Sequence, residues 1–146
     1  MQSKRVWARA LGLERDTVIE DLREDGEVIV VACRLRRNAR RRCGICGARA
    51  SLYDHGDGRR RWRALDAGTT KVFIEADAPR VSCRDHGVTV AAVPWARHGS
   101  RFTRGFEDTI GWLATATSKT AVTELMRVGW RTVGGIVERI QVEIDG

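Results

Sequence analysis

Lysine is scarce in this 146-residue chain. It occurs only at Lys4, Lys71 and Lys119, so arginine carries almost all of the positive charge. Long apolar runs are missing too, which excludes a membrane-spanning helix. Met1 to Arg15 holds Lys4, Arg5, Arg9 and Arg15 with no apolar stretch between them, so no secretory leader is read there. The expected setting is a reducing cytoplasm with no membrane partner, where paired cysteines are metal ligands more often than disulfides. There is no glycine-rich phosphate loop and no internal repeat. His55 is followed by Gly56 and Asp57, and no proline precedes Cys43, so the zinc-deaminase pattern is absent. No other catalytic constellation stands out, and carboxylates such as Glu107 and Asp108 read as solvated helix faces. Neither an enzyme nor a small-molecule substrate is expected of this chain.

What is present is charge, and it is clustered. The net charge is +7 and the pI about 10.0, which suits an acidic polymer, although an arginine-rich composition also follows from a GC-rich genome. The densest run is Arg34, Arg36, Arg37, Arg40, Arg41 and Arg42, ending directly on Cys43. It reads either as a solvated strand end or as a phosphate-contacting strip, with Arg40, Arg41 and Arg42 its candidate contacts.

Two short pairs carry the metal chemistry. Cys43-Gly-Ile-Cys46 places two thiolates on one tight turn, and Cys83-Arg-Asp-His86 offers a second pair. Together they read as a closed tetrahedral structural zinc site, with a hairpin inserted between the pairs. His86 is the preferred fourth ligand, with Cys33 and His55 as competitors. Cys33 lies in a strand and is read as a small buried hydrophobe. His98 is read as a polar loop residue.

Alternation predicts strands over Thr17–Leu22, Glu27–Leu35, Lys71–Ala78 and Val88–Val93, with a turn at Arg23–Gly26 and a short helix over Val6–Leu13. Val72, Ile74 and Ala76 share one face, and Trp62 and Leu65 are expected to point inward. The strands are expected to form one antiparallel sheet, and residues 96–101 a linker. Three helices follow: one with Phe102, Phe106, Ile110 and Leu113 at helical spacing, one from Lys119 to Met126 capped by Ser118, and one from about Trp130 to Val142. Val122, Met126, Val128, Val133 and Ile136 fall at the apolar positions of a helix-turn-helix, and Leu125 adds to that surface. Two positions depart from the template. Thr123 stands where a small residue is usual, and Arg127 where glycine is usual. The third helix presents Trp130, Arg131, Thr132, Gly135, Glu138 and Arg139 outward, with Lys119 nearby. Arg131 is the leading candidate for a guanine contact, while Trp130 could instead pack on the helix of Phe106.

The fold class expected is α+β: a zinc-stapled antiparallel β lobe over residues 1–96, then a three-helix helix-turn-helix lobe over 97–146. Cys43-Gly-Ile-Cys46-Gly47, Tyr53-Asp54, Arg61–Asp66, Pro79-Arg80-Val81-x-Cys83 and His86-Gly87-Val88 resemble the N-terminal zinc-binding domain of ISL-three family transposases of the actinobacterial type. Val93–Arg97, Phe102–Arg104, Phe106–Asp108, Ser118–Val122 and Trp130–Gly134 resemble the helix-turn-helix that follows it. The resemblance runs from about Asp16 to Ile140. It implies binding of double-stranded DNA at the terminal inverted repeats of an insertion sequence, in a bacterial cytoplasm and nucleoid. In that family a metal-dependent DDE nuclease domain follows, so this chain reads as truncated before it and is expected to bind DNA without cutting it. Such an end-binder would compete with full-length transposase. The alternatives are a zinc-dependent protein–protein or dimerisation module, with a second copy or a full-length transposase as partner, and a stand-alone DNA-binding regulator.

Overall fold

The computed structural model describes all residues except Met1, Glu14, Arg37, Asn38 and Arg40, and of Gln2 the backbone alone. The chain divides into two compact units, Met1–Thr103 and Arg104–Gly146.

The first unit opens with α1 (Gln2–Leu11), which starts earlier than the expected Val6. Its end follows from one glycine. Gly12 has φ of 69°, its N–H donates to Arg9 O at 3.2 Å, and Leu13 N–H donates to Ala8 O at 2.8 Å. This is the Schellman arrangement, and it turns Leu13 into the core. Strands β1 (Thr17–Asp25), β2 (Val28–Leu35), β4 (Arg59–Ala67) and β5 (Thr70–Asp77) make a four-stranded sheet in the order β1-β2-β5-β4. Strands β3 (Ser51–Asp54), β6 (Arg80–Cys83) and β7 (Gly87–Val90) make a second sheet in the order β3-β6-β7.

The α+β class is as expected, but the single antiparallel sheet is not. The strands form two sheets, and β2 pairs with β5 in parallel, Ile29 opposite Val72 and Val31 opposite Ile74. Alternation within a strand fixes which residues share a face, not which strand lies beside it. Val72, Ile74 and Ala76 are buried together as expected, against Val31, Cys33, Trp62 and Ala64. Trp62 meets Trp95 edge to face with centroids 5.4 Å apart. Leu65 is a correction. It is 41% exposed, because an odd step from Trp62 along a strand leads to the other face.

Residues 96–101 are also a correction, since they are built into the first unit. Ala96 and Ser100 are buried, Arg63 N–H donates to Arg101 O at 2.9 Å, and Thr103 N–H donates to Arg63 O at 2.9 Å. Those bonds lay residues 101–103 along the edge of β4, and Phe102 makes a parallel bridge with Arg63 rather than joining a helix.

The second unit holds α2 (Arg104–Ala116), α3 (Lys119–Met126) and α4 (Trp130–Asp145). Phe106, Ile110, Val122, Met126, Val133 and Ile136 form its buried side. Leu125 is 65% exposed and does not contribute to that side. None of the described helices is long and apolar enough to cross a membrane.

Candidate metal centre and nucleic-acid interface

Two turns bring four donors to one point. At the first, Cys43 N–H donates to Ala48 O, Gly47 N–H donates to Cys43 O, and Ile45 N–H donates to Cys43 Sγ at 3.3 Å. The second is the β6–β7 turn, where Cys83 stands opposite Gly87 and His86 lies between them. The chain after β7 ties the turns together: Cys43 bridges to Ala91, Gly44 N–H donates to Val90 O, and Ala92 N–H donates to Arg42 O. A Cβ at position 44 would lie 2.5 Å from His98 Nδ1 and 2.5 Å from Val90 O, so glycine is needed for this approach.

The ligand atoms of Cys43, Cys46, Cys83 and His86 all lie within 4.8 Å of one another. Cys46 Sγ is 3.7 Å from Cys83 Sγ, and His86 Nδ1 is 3.6 Å from Cys83 Sγ and 3.9 Å from Cys43 Sγ. A tetrahedral ion with metal–sulfur bonds of about 2.3 Å and metal–nitrogen bonds of about 2.0 Å separates sulfurs by about 3.8 Å, and sulfur from nitrogen by about 3.5 Å. The donor set fits such an ion.

The local electrostatics favour the thiolate at Cys43 and Cys83. Burial pushes the Cys43 thiol up, but the amides of Cys46 and Ile45 outweigh it and the net direction is down. The amide of Asp85, and then His86, draw Cys83 down. The amide of Ala48 draws Cys46 down, yet desolvation and the neighbouring sulfurs of Cys83 and Cys43 carry it above its ordinary value. Cys33 stands apart. It is fully buried in the sheet core, its Sγ contacts Val31 O, and burial pushes its thiol up to about 12. His55 is exposed and outside the cluster.

The helical unit has the capped helix, turn and second helix of a helix-turn-helix. Ser118 is the N-cap of α3, its Oγ accepting from Ala121 N–H at 3.1 Å. Arg127 closes α3 at φ 55° and ψ 52°, its N–H donating to Thr123 O. That left-handed conformation is why glycine is usual there. Gly129 then starts α4 with no side-chain cap.

Trp130 is 55% exposed, so it does not bury against the helix of Phe106, and Lys119 Nζ sits 5.0 Å from its ring centroid. Arg131 is exposed, while Thr132 and Gly135 are half-buried on the same stretch of α4. Arg139 is engaged within the unit: its Nε and Nη2 donate to Glu107 Oε2 at 3.0 and 2.7 Å. Glu107 corrects the reading of a solvated face. It is fully buried (0%) on α2, held by that guanidinium. In sequence Glu107 looks exposed like its neighbour Asp108, because Arg139 lies far along the chain on another helix. Arg41 and Arg42 are exposed before the first turn, with Arg42 Nη1 donating to Gly47 O, and Arg40 lies outside the described residues.

A metal-type donor cluster in a strand-rich first unit, followed along the chain by a helix-turn-helix unit, defines the general class. The zinc-finger family of transposases IS204/IS1001/IS1096/IS1165 matches residues 39–86, and the helix-turn-helix domain of transposase family ISL3 matches residues 91–141. The chain therefore carries the zinc-ribbon and helix-turn-helix domains of ISL3 transposases. It is 51% identical over 151 residues, 99% of this chain, to the transposase for insertion sequence element IS1557 of Mycobacterium tuberculosis, in both strain CDC 1551 / Oshkosh and strain ATCC 25618. The chain spans about a third, 34%, of the length of those relatives. No solved structure gives a significant match.

Proposed function

We propose that this chain is the DNA-recognition portion of an insertion-sequence transposase, binding the terminal inverted repeats of its element as double-stranded DNA in the bacterial cytoplasm and nucleoid. The observation that carries this is the capped α3, the left-handed turn at Arg127, and the exposed start of α4 at Trp130 and Arg131. That end of a recognition helix is the one that reaches base edges in the major groove. In this reading Arg131 contacts a guanine, Thr132 and Trp130 flank it, Gly135 lets the DNA approach α4 closely, and Lys119 with Arg40, Arg41 and Arg42 contacts phosphates. Arg139 serves mainly by fixing α4 to Glu107.

Zinc is the ion proposed for Cys43, Cys46, Cys83 and His86. It acts structurally, because four protein donors leave no open position for chemistry. Strand transfer in the whole transposase is assigned to residues outside this chain.

The test is a binding titration, by fluorescence anisotropy, on inverted-repeat duplex and on a scrambled duplex as salt rises. Preference for the repeat should persist while both affinities fall. Equal affinity for the two duplexes at every salt would overturn the reading.

A second reading is self-association through the helical unit. Trp112, Val142 and Ile144 are 66–72% exposed there, and Leu125 is 65% exposed. Sedimentation showing a dimer that persists without DNA, and is abolished by Trp112→Ala, would support it. A monomer would exclude it.

A further inference from the structure

We propose that a basic groove on the first unit grips the phosphate backbone of duplex DNA, as a surface separate from the arginine run and from α4. The inference rests on the DNA-binding reading above and extends it. The groove runs between β4, the β6–β7 hairpin and the segment after Trp95, and it is lined by Arg60, Arg61, Arg80, His98 and Arg101 among others. No carboxylate lines it among the described residues. A cleft of one sign focuses the field and favours a polyanion.

These arginines are not equivalent. Arg61 donates to Asp25 at 2.7 Å and Glu75 at 2.9 Å, and Arg80 holds Asp54 with both arms of its guanidinium. Arg60 and Arg101 have no carboxylate partner among the described residues. Arg60 lies over the face of Trp62, 5.9 Å from its centroid, which holds the guanidinium without neutralising it. Arg101 is held by its backbone, since its carbonyl accepts from Arg63 N–H on β4. Two uncompensated guanidinium groups are therefore presented from fixed positions.

The wall of the groove is continuous with the metal centre. His98 and Val90 both line the groove, and both press on Gly44 of the first cysteine turn. Folding of the donor cluster and shaping of the groove thus go together.

The test uses the full zinc-loaded chain and duplex DNA, and reads the slope of log affinity against log salt. Replacing both Arg60→Ala and Arg101→Ala removes two phosphate contacts, so the slope should shrink by about 1.8. Between about 50 and 200 mM salt the unmodified chain should lose roughly tenfold more affinity than this variant. The ratio of affinities for two different duplexes should not change, because phosphates carry no sequence. The Arg60→Lys, Arg101→Lys pair should keep the original slope. Arg101→Gln alone, at an exposed position, should show about half the change and serves if the double alanine variant disturbs the fold. An unchanged slope in the alanine and glutamine variants would overturn the groove while leaving the DNA-binding reading intact. Absence of any duplex binding by the unmodified chain would overturn both.

Discussion

The two units of this chain reach stability by different routes. The helical unit buries Phe106, Ile110, Val122, Met126, Val133 and Ile136 between three helices, and ties α4 to α2 through Arg139 and the buried Glu107. In the first unit the four-stranded sheet has an apolar core of its own, but the β3-β6-β7 sheet does not. Its strands are four residues each, and the side chains buried around it are chiefly Val81, Cys43, Cys83 and Ala91. So little apolar area cannot offset the entropy of ordering two turns and a hairpin. Four converging donors take the place of a core there. Metal dependence should therefore be confined to one part of the chain.

Removing the metal sharpens that contrast most. Structural zinc contributes on the order of 10 kcal/mol or more in small peptides, against a total stability of about 5–15 kcal/mol for a small domain. Chelation, or Cys83→Ser, should therefore unfold the β3-β6-β7 region and leave helical circular dichroism largely intact. Unchanged tryptophan emission and strand signal in chelator would break the comparison.

Next comes the ion pair of the helical unit. Arg139→Ala removes both guanidinium bonds to the buried Glu107 carboxylate and should cost about 3–5 kcal/mol. Hydrogen exchange should locate that loss in α2 and α4, with the β3-β6-β7 sheet as protected as before. A loss spread over both units would contradict their independence.

A smaller effect is expected at the start of α4. Arg131→Ala should lower affinity by about 1–3 kcal/mol and relax preference at one base pair, with melting temperature unchanged. Equal weakening on all sequences would make Arg131 a phosphate contact instead. The smallest change is Ser118→Ala, which removes the acceptor for Ala121 N–H and should cost about 1 kcal/mol of helical-unit stability, read by thermal melting.

The parts of the fold legible in sequence are those set by local rules. The Ser118 cap, the ends of α3 and the start of α4 follow from neighbours within a few residues, and so does the shared face of Val72, Ile74 and Ala76. The spacing of Cys43, Cys46, Cys83 and His86 likewise named the side chains that the fold gathers within 4.8 Å. What was not legible depends on partners distant in the chain. The parallel pairing of β2 with β5 joins segments about forty residues apart, a choice no local pattern encodes. Burial of Glu107 depends on Arg139, and the docking of residues 101–103 depends on the free edge of β4. Leu65 and Leu125 looked like core because they are leucine. Position on a strand face or helix face, rather than residue type, left them exposed.

Selection from random-sequence duplex DNA by the zinc-loaded chain at physiological salt decides between site-specific and nonspecific binding. The expected result is one enriched motif whose enrichment falls away with Arg131→Ala. Retention of DNA without enrichment of any motif would contradict the claim, and would make the chain a nonspecific basic module.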